Sequence, residues 1–165
     1  MALTVETGAN VPGADSLVSL ADARAYAALR GLSLDADDTA AEVQLRKAMD
    51  HMTGLEAQFQ GFRASSTQSL PFPRYDMEIN GYQVASDTVP QQAIHAQVML
   101  AAEIAAGADL SNREQASIAT EKTIVGAVSV KYAANGAKTY KARASDALMA
   151  ALMSGGGGQV RLVRG

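Results

Sequence analysis

A mainly α fold is what the sequence predicts: a small helical bundle of about four helices, with a long ordered loop, a minor β element of one or two strands, and extended termini. Three observations lead there. The run from Ile94 to Ala105 is apolar around most of a helical circumference, the mark of a buried central helix. Two capping-box patterns, Ser19-Leu20-Ala21-Asp22 and Thr39-Ala40-Ala41-Glu42, each precede a run with apolar residues at helical spacing. Only the region 118–132 changes to a period of two.

The elements follow in order. Met1 to Gly13 is polar and turn-rich, an extended arm to be held by a partner or by a short strand around Leu17. The first short helix carries Leu20, Ala23, Tyr26 and Leu29 on one row and stops at Gly31. An acidic loop, Leu32 to Asp38, leads to a second helix with Leu45, Ala48, Met49, Met52, Leu55 and Phe59 toward the core and Lys47, Asp50 and Glu56 on the far side. Residues 60–88 lack a sustained period but carry Phe62, Leu70, Phe72, Tyr75, Met77, Ile79 and Tyr82, too much apolar and aromatic matter for a free coil. Pro71-Phe72-Pro73 predicts an extended, polyproline-like bend, and Asn80-Gly81 a tight turn between Ile79 and Tyr82.

Pro90 suits the first position of the central helix, because its missing N–H would be unpaired there in any case, and Gly107 suits the position just past its end. Val128, Val130 and Tyr132 alternate with polar residues as in a half-buried strand, to be paired in a hairpin or with a neighbouring subunit; that pairing is a first hint of an oligomer. Ala144, Ala147, Leu148, Ala151 and Leu152 give a last short helix. The expected organisation is one helical domain over 1–154 and a glycine-tethered C-terminal arm over 155–165, ending Val160-Arg161-Leu162-Val163-Arg164-Gly165.

The chain has 165 residues, no cysteine and a net charge of −3, so no global positive field draws it to nucleic acid or anionic lipid. With no basic, apolar leader and no long apolar run, it reads as soluble and unsecreted, without a membrane partner. His51 and His95 have no carboxylate or second histidine three or four residues on, so no metal face forms, and neither phosphate-binding glycine pattern occurs. No catalytic residue, cofactor or metal is expected, and the protein is not read as an enzyme. Nucleic-acid binding has more support. Phe59, Phe62, Phe72, Tyr75 and Tyr82 lie near Arg63 and Arg74, the composition that stacking of single strands requires. The same residues would equally pin the loop to the core, and the acidic balance favours that plainer role.

Several segments together carry a resemblance that covers nearly the whole chain: Met1-Ala2-Leu3-Thr4-Val5-Glu6-Thr7-Gly8 with Asp15-Ser16, Gln68-Ser69-Leu70-Pro71-Phe72-Pro73-Arg74, Val89-Pro90, Glu121-Lys122, Gly126 to Tyr132, and Leu162-Val163-Arg164. They resemble a group of small phage proteins labelled DnaT-like single-stranded DNA-binding protein, which is similar to the head-tail adaptor, or head-completion, proteins of long-tailed phages. Phe72 stands where tryptophan is expected, and the last helix lacks a proline often found in it.

That resemblance implies a structural virion protein at the head-tail interface, assembled in the host cytoplasm: a dodecameric ring between the portal protein and a tail-side connector or terminator, with DNA passing through without specific binding. Val160, Arg161, Leu162, Val163 and Arg164 would form a docking arm, and Phe72, Arg74, Tyr75, Tyr82, Val128, Val130 and Tyr132 an interface of loop and strand. Asp35, Asp37 and Asp38 would face the DNA, or would simply be solvated. The DnaT-like label implies instead a replication accessory that binds single-stranded DNA, with the stacking residues as its site.

Overall fold

The computed structural model describes residues 2–108, 110, 121–124, 128–131 and 144–154, with 121–124 and 128–131 described by backbone alone. Four helices and three two-stranded antiparallel ladders appear among these residues, a mainly α domain as expected. Helix α1 spans Leu20–Ala28, α2 Asp38–Gly54, α3 Gln91–Ala105 and α4 Ala144–Ala150.

Helix α3 is the axis of the core and touches α1, α2 and α4. Its buried residues, Ala93, Ala96, Gln97, Val98, Leu100, Ala101 and Ala102, run round most of its circumference, and its small side chains allow close approach of neighbouring backbones. Pro90 is the N-cap rather than the first helical residue, so α3 starts one position later than expected, and the Pro90 carbonyl accepts from the N–H groups of Ala93 and Ile94. Gly107, at φ +90°, terminates the helix in the left-handed region as its position predicted.

Ser19 caps α1: its Oγ accepts from the Asp22 N–H at 3.1 Å and donates to the Asp22 carboxylate at 2.6 Å. Ala23 and Ala27 form the buried face, while Leu29 falls past the helix end and is 84% exposed, contrary to its expected place in the apolar row. In α2 the cap is Asp37, not Thr39; Asp37 Oδ2 accepts from the Ala40 N–H at 2.9 Å. A carboxylate at the N-terminus of a helix also meets the positive end of its dipole, and Glu42 is thereby left to pair with Arg46 at 3.5 Å. Of the expected face, Leu45, Ala48, Met49 and Met52 are buried against α3, but Leu55 and Phe59 lie beyond the helix, which ends at Gly54 and is followed by a 3-10 turn, Glu56–Gln58.

The N-terminal arm is fixed by its own chain. Val5 and Ser16 form a parallel bridge, and the buried Glu6 carboxylate accepts from the N–H groups of Gly8, Asn10 and Val11 at 2.8 to 3.0 Å. Gln97, fully buried on α3, accepts from the Leu17 N–H at 2.9 Å and donates to Ser16 Oγ and the Leu45 carbonyl at 3.0 Å. One amide thus joins the arm, α2 and α3.

Residues 60–88 form an ordered excursion with two small ladders. Strand β1, Phe62–Arg63, pairs with β2, Arg74–Tyr75; β3, Glu78–Ile79, pairs with β4, Tyr82–Gln83. Asn80 and Gly81 both have positive φ, the two-residue turn their dipeptide predicted. The Phe72–Pro73 peptide bond is cis, where an extended polyproline-like bend was expected. Strand β5, Glu121–Ile124, pairs with β6, Val128–Lys131, inside the chain; the second strand that could have come from a neighbouring subunit is therefore β5. The short last helix lies where expected, and Glu103 of α3 holds its start by accepting from the Ser145 N–H at 3.1 Å and Oγ at 2.8 Å.

Candidate nucleic-acid interface

The excursion separates its aromatic residues into two sets. Phe59 and Phe72 turn inward, with ring centroids 5.0 Å apart, and join Leu70 and Met77 in the core. Phe62 and Tyr75 are register partners on β1 and β2, 62% and 44% exposed, with centroids 5.4 Å apart and planes inclined by 30°. Tyr82, on β4, is 79% exposed. Aromatic pairs across a two-stranded ladder favour such offset geometry, and here the outer faces remain open.

Buried polar contacts hold this platform. Arg74 is 6% exposed; its Nε donates to the Gln60 carbonyl at 2.7 Å, Nη2 to the Gly61 carbonyl at 2.8 Å, and Nη1 to the Pro71 carbonyl at 3.2 Å and Glu56 Oε1 at 3.3 Å. Arg63 grips the same carboxylate with two parallel bonds, one of them Nε to Oε1 at 2.6 Å, and donates to the Gln68 carbonyl at 2.9 Å. The hydrogen bond from Arg63 pulls the Glu56 carboxyl below its usual range against the opposing effect of burial, with the charges of Arg63 and Arg74 adding to it. The same bond raises Arg63. Gln60 ties the excursion to the end of α4: its N–H donates to the Leu152 carbonyl at 2.9 Å, and its Nε2 to the carbonyls of Ala151 and Met153. Gln60 Oε1 accepts from the Glu78 N–H at 3.3 Å, which links the second ladder to the first.

A shallow cleft of about 750 Å³ lies beside the platform, lined by Thr53, Glu56, Phe59, Phe62, Arg63 and Arg74. Its charged residues are two arginines that share one glutamate, so the lining carries a net charge of +1 beside the ring faces and apolar stems.

The structure sorts the sequence-predicted residues unevenly. Phe72 and Arg74, expected at an interface, are inside the fold, because a planar aromatic and a five-donor guanidinium fill and satisfy the loop's interior. Tyr75 and Tyr82 are on the surface, and Val128 and Val130 are on β6. Tyr132 and the arm Val160, Arg161, Leu162, Val163 and Arg164 lie outside the described residues. Asp35, Asp37 and Asp38 hold local structure: Asp35 accepts from the Asp37 N–H at 2.9 Å, Asp37 caps α2, and Asp38 pairs with Arg24 at 2.8 Å.

One cluster went unread in the sequence. Arg30 lies 3.6 Å over the Tyr26 ring, and Tyr26 stacks on His95 with centroids 4.2 Å apart. Burial lowers the His95 pKa, and the charge of Arg30 lowers it further. The spacing of Tyr26 and Arg30, one helical turn, was the available signal; His95 comes from another helix and gave none. Among the described residues no group of side chains could hold a metal ion, and no helix is long and apolar enough to cross a membrane.

Comparison with known proteins bears on the choice between the two roles. A family model described as "Putative DnaT-like ssDNA binding protein" matches residues 1–165. No curated protein and no solved structure matches the chain. The expected head-tail adaptor is thereby corrected: the match points to single-stranded DNA binding, and nothing supports the phage connector, its ring or its virion setting. The pairing of β6 with β5 also removes the unpaired strand that had suited ring neighbours. Matched over its whole length, the chain belongs to the family of DnaT-like ssDNA-binding proteins.

Proposed function

We propose that the protein is a single-stranded DNA-binding accessory of replication, with a binding rather than a catalytic role, and that bases stack on the exposed rings of the 60–88 excursion. Phe62 and Tyr75 form the platform and Tyr82 offers a further ring. The observation that carries this reading is the cross-strand pair itself, two large rings with open faces on a backbone pinned by Arg74. A ring held in place before binding loses little side-chain freedom on stacking, and stacking accepts any base because every base has a π face. In a duplex those faces are already occupied by neighbouring bases, so the platform favours single strands. The family description supports the same ligand.

Fluorescence anisotropy of a labelled oligothymidylate and of a duplex of equal length tests the proposal. The wild-type chain should bind the single strand in preference to the duplex. Phe62→Ala/Tyr75→Ala, with unchanged circular dichroism, should bind about 5- to 150-fold more weakly for each stacked base lost, from stacking worth ~1–3 kcal/mol. Absence of single-strand binding, or equal binding by wild type and double variant, would overturn it.

A further inference from the structure

Residues 1–107 carry thirteen Asp and Glu against six Lys and Arg, so carboxylates are in excess around every cation. Four of the six are paired: Arg24 with Asp38 at 2.8 Å, Arg46 with Asp15 at 2.6 Å, and Arg63 and Arg74 with Glu56. Among the described residues Arg30 has no carboxylate partner. Its guanidinium lies instead 3.6 Å over the Tyr26 ring, and Tyr26 stacks in turn on the half-buried His95 of α3, with centroids 4.2 Å apart.

Two contacts fix Arg30 in place. Its backbone N–H donates to the Ala27 carbonyl at 3.0 Å just past the end of α1, and the ring beneath sets the plane of the guanidinium. The residue is nevertheless exposed, and no acceptor among the described residues takes the N–H groups along the edge of that plane. Those groups match the oxygens of a phosphate, and a fork fixed before binding loses little freedom on pairing. In so acidic a body one guanidinium is a weak trap for a free anion. A strand already stacked on the aromatic platform would present its phosphates at a far higher local concentration.

Resting on the single-stranded DNA reading above, we propose that Arg30, held flat on Tyr26 and His95, is a phosphate-contact residue for the bound strand. The excursion receives bases, and the end of α1 receives the backbone.

His95 supplies a readout. Burial and then the charge of Arg30 disfavour its imidazolium, so a phosphate at Arg30 should offset that charge and move the titration midpoint of the ring upward. Nuclear magnetic resonance of the imidazole, assigned with His95→Gln, should show this rise on saturation with oligothymidylate, and a much smaller one with inorganic phosphate at equal phosphate concentration. Arg30→Gln should abolish the rise and reduce the salt slope of log K by ~0.7, the increment for one phosphate on a single strand. Lys47→Gln removes an exposed cation that has no ring beneath it and should leave the slope unchanged. Phe62→Ala/Tyr75→Ala should weaken binding at every salt concentration with the wild-type slope.

Binding that leaves His95 unmoved, or a slope loss no larger for Arg30→Gln than for Lys47→Gln, would overturn the Arg30 assignment while leaving stacking intact. An equal rise with inorganic phosphate would make this a free-anion site and overturn the strand assignment. The His95 titration uses the wild-type chain and so decides the matter even if Arg30→Gln fails to fold. A wild-type chain that does not bind the oligonucleotide would overturn both readings.

Discussion

Arg74 reaches the Glu56 carboxylate at 3.3 Å from inside the fold, and that contact ties the turn that follows α2 to the aromatic excursion. The guanidinium also satisfies three backbone carbonyls that a long loop would otherwise bury without donors. The ladder that carries the exposed rings of Phe62 and Tyr75 is held by this pair of a buried arginine and a partly exposed glutamate.

Arg74→Met should therefore destabilise the domain by about 2–4 kcal/mol, since it leaves the Gln60, Gly61 and Pro71 carbonyls unpartnered and Glu56 with one cation fewer. Arg74→Lys should recover little of the loss, because an ammonium cannot reproduce the planar fork. Urea unfolding measures both; a change under about 0.5 kcal/mol, the size of a neutral surface substitution, would contradict the role assigned here.

The lowered Glu56 pKa sets a pH dependence. Its folded value lies below its unfolded value, so the ionised pair contributes stability above the ordinary glutamate range and loses it as pH falls through the folded pKa. Glu56→Gln should melt lower than wild type near neutral pH, and the difference should shrink as the solution is acidified. A gap in melting temperature that stays constant from pH 7 to about pH 3 would rule out this linkage.

Two glycines at the edges of the excursion should respond in opposite directions. At Gly61, with φ +64°, an added Cβ would meet the Tyr75 carbonyl oxygen at 2.0 Å. Gly61→Ala should cost roughly 1–3 kcal/mol and disturb the Phe62–Tyr75 pair. Gly54, the last residue of α2, has open space around the same position, so Gly54→Ala should stabilise by about 0.4–1 kcal/mol through reduced freedom of the unfolded chain. Thermal melts of the two variants should move in opposite directions; shifts of the same sign would refute the contrast.

Gln97→Leu preserves approximate volume but removes one acceptor and two donor bonds from a fully buried site. The Leu17 N–H loses its side-chain acceptor, and the expected cost is ~2–4 kcal/mol. Amide exchange at Leu17 should accelerate beyond what global destabilisation explains. Protection equal to that of neighbouring core amides would show that another acceptor replaces the glutamine.

The helices were legible because their signals are local. The apolar circumference of α3, the Ser19–Asp22 cap, the stop at Gly107 and the Asn80-Gly81 turn each depend on residues within a few positions of one another. The same locality explains the misread cap of α2: Asp37 and Thr39 both suit an N-cap, and Asp37 won as a carboxylate at the positive end of the helix. The candidate site was legible only as a composition. Five aromatic residues and two arginines around the excursion announced either stacking or packing, and both occur, in different members of the set.

By itself, then, the sequence determined a mainly α domain, its helical periods, the ordered character of residues 60–88 and the turn that closes its second ladder. Only the tertiary structure decided that Phe72 and Arg74 face inward while Phe62 and Tyr75 face out, and that Glu56, read as a far-side residue of α2, is the anchor for both arginines. Periodicity and capping arise from interactions along a few residues of backbone. The direction of a loop side chain is set by partners that folding brings together: Glu56 lies eighteen positions before Arg74, and Gln60 is held by the carbonyls of Ala151 and Met153 at the far end of the domain.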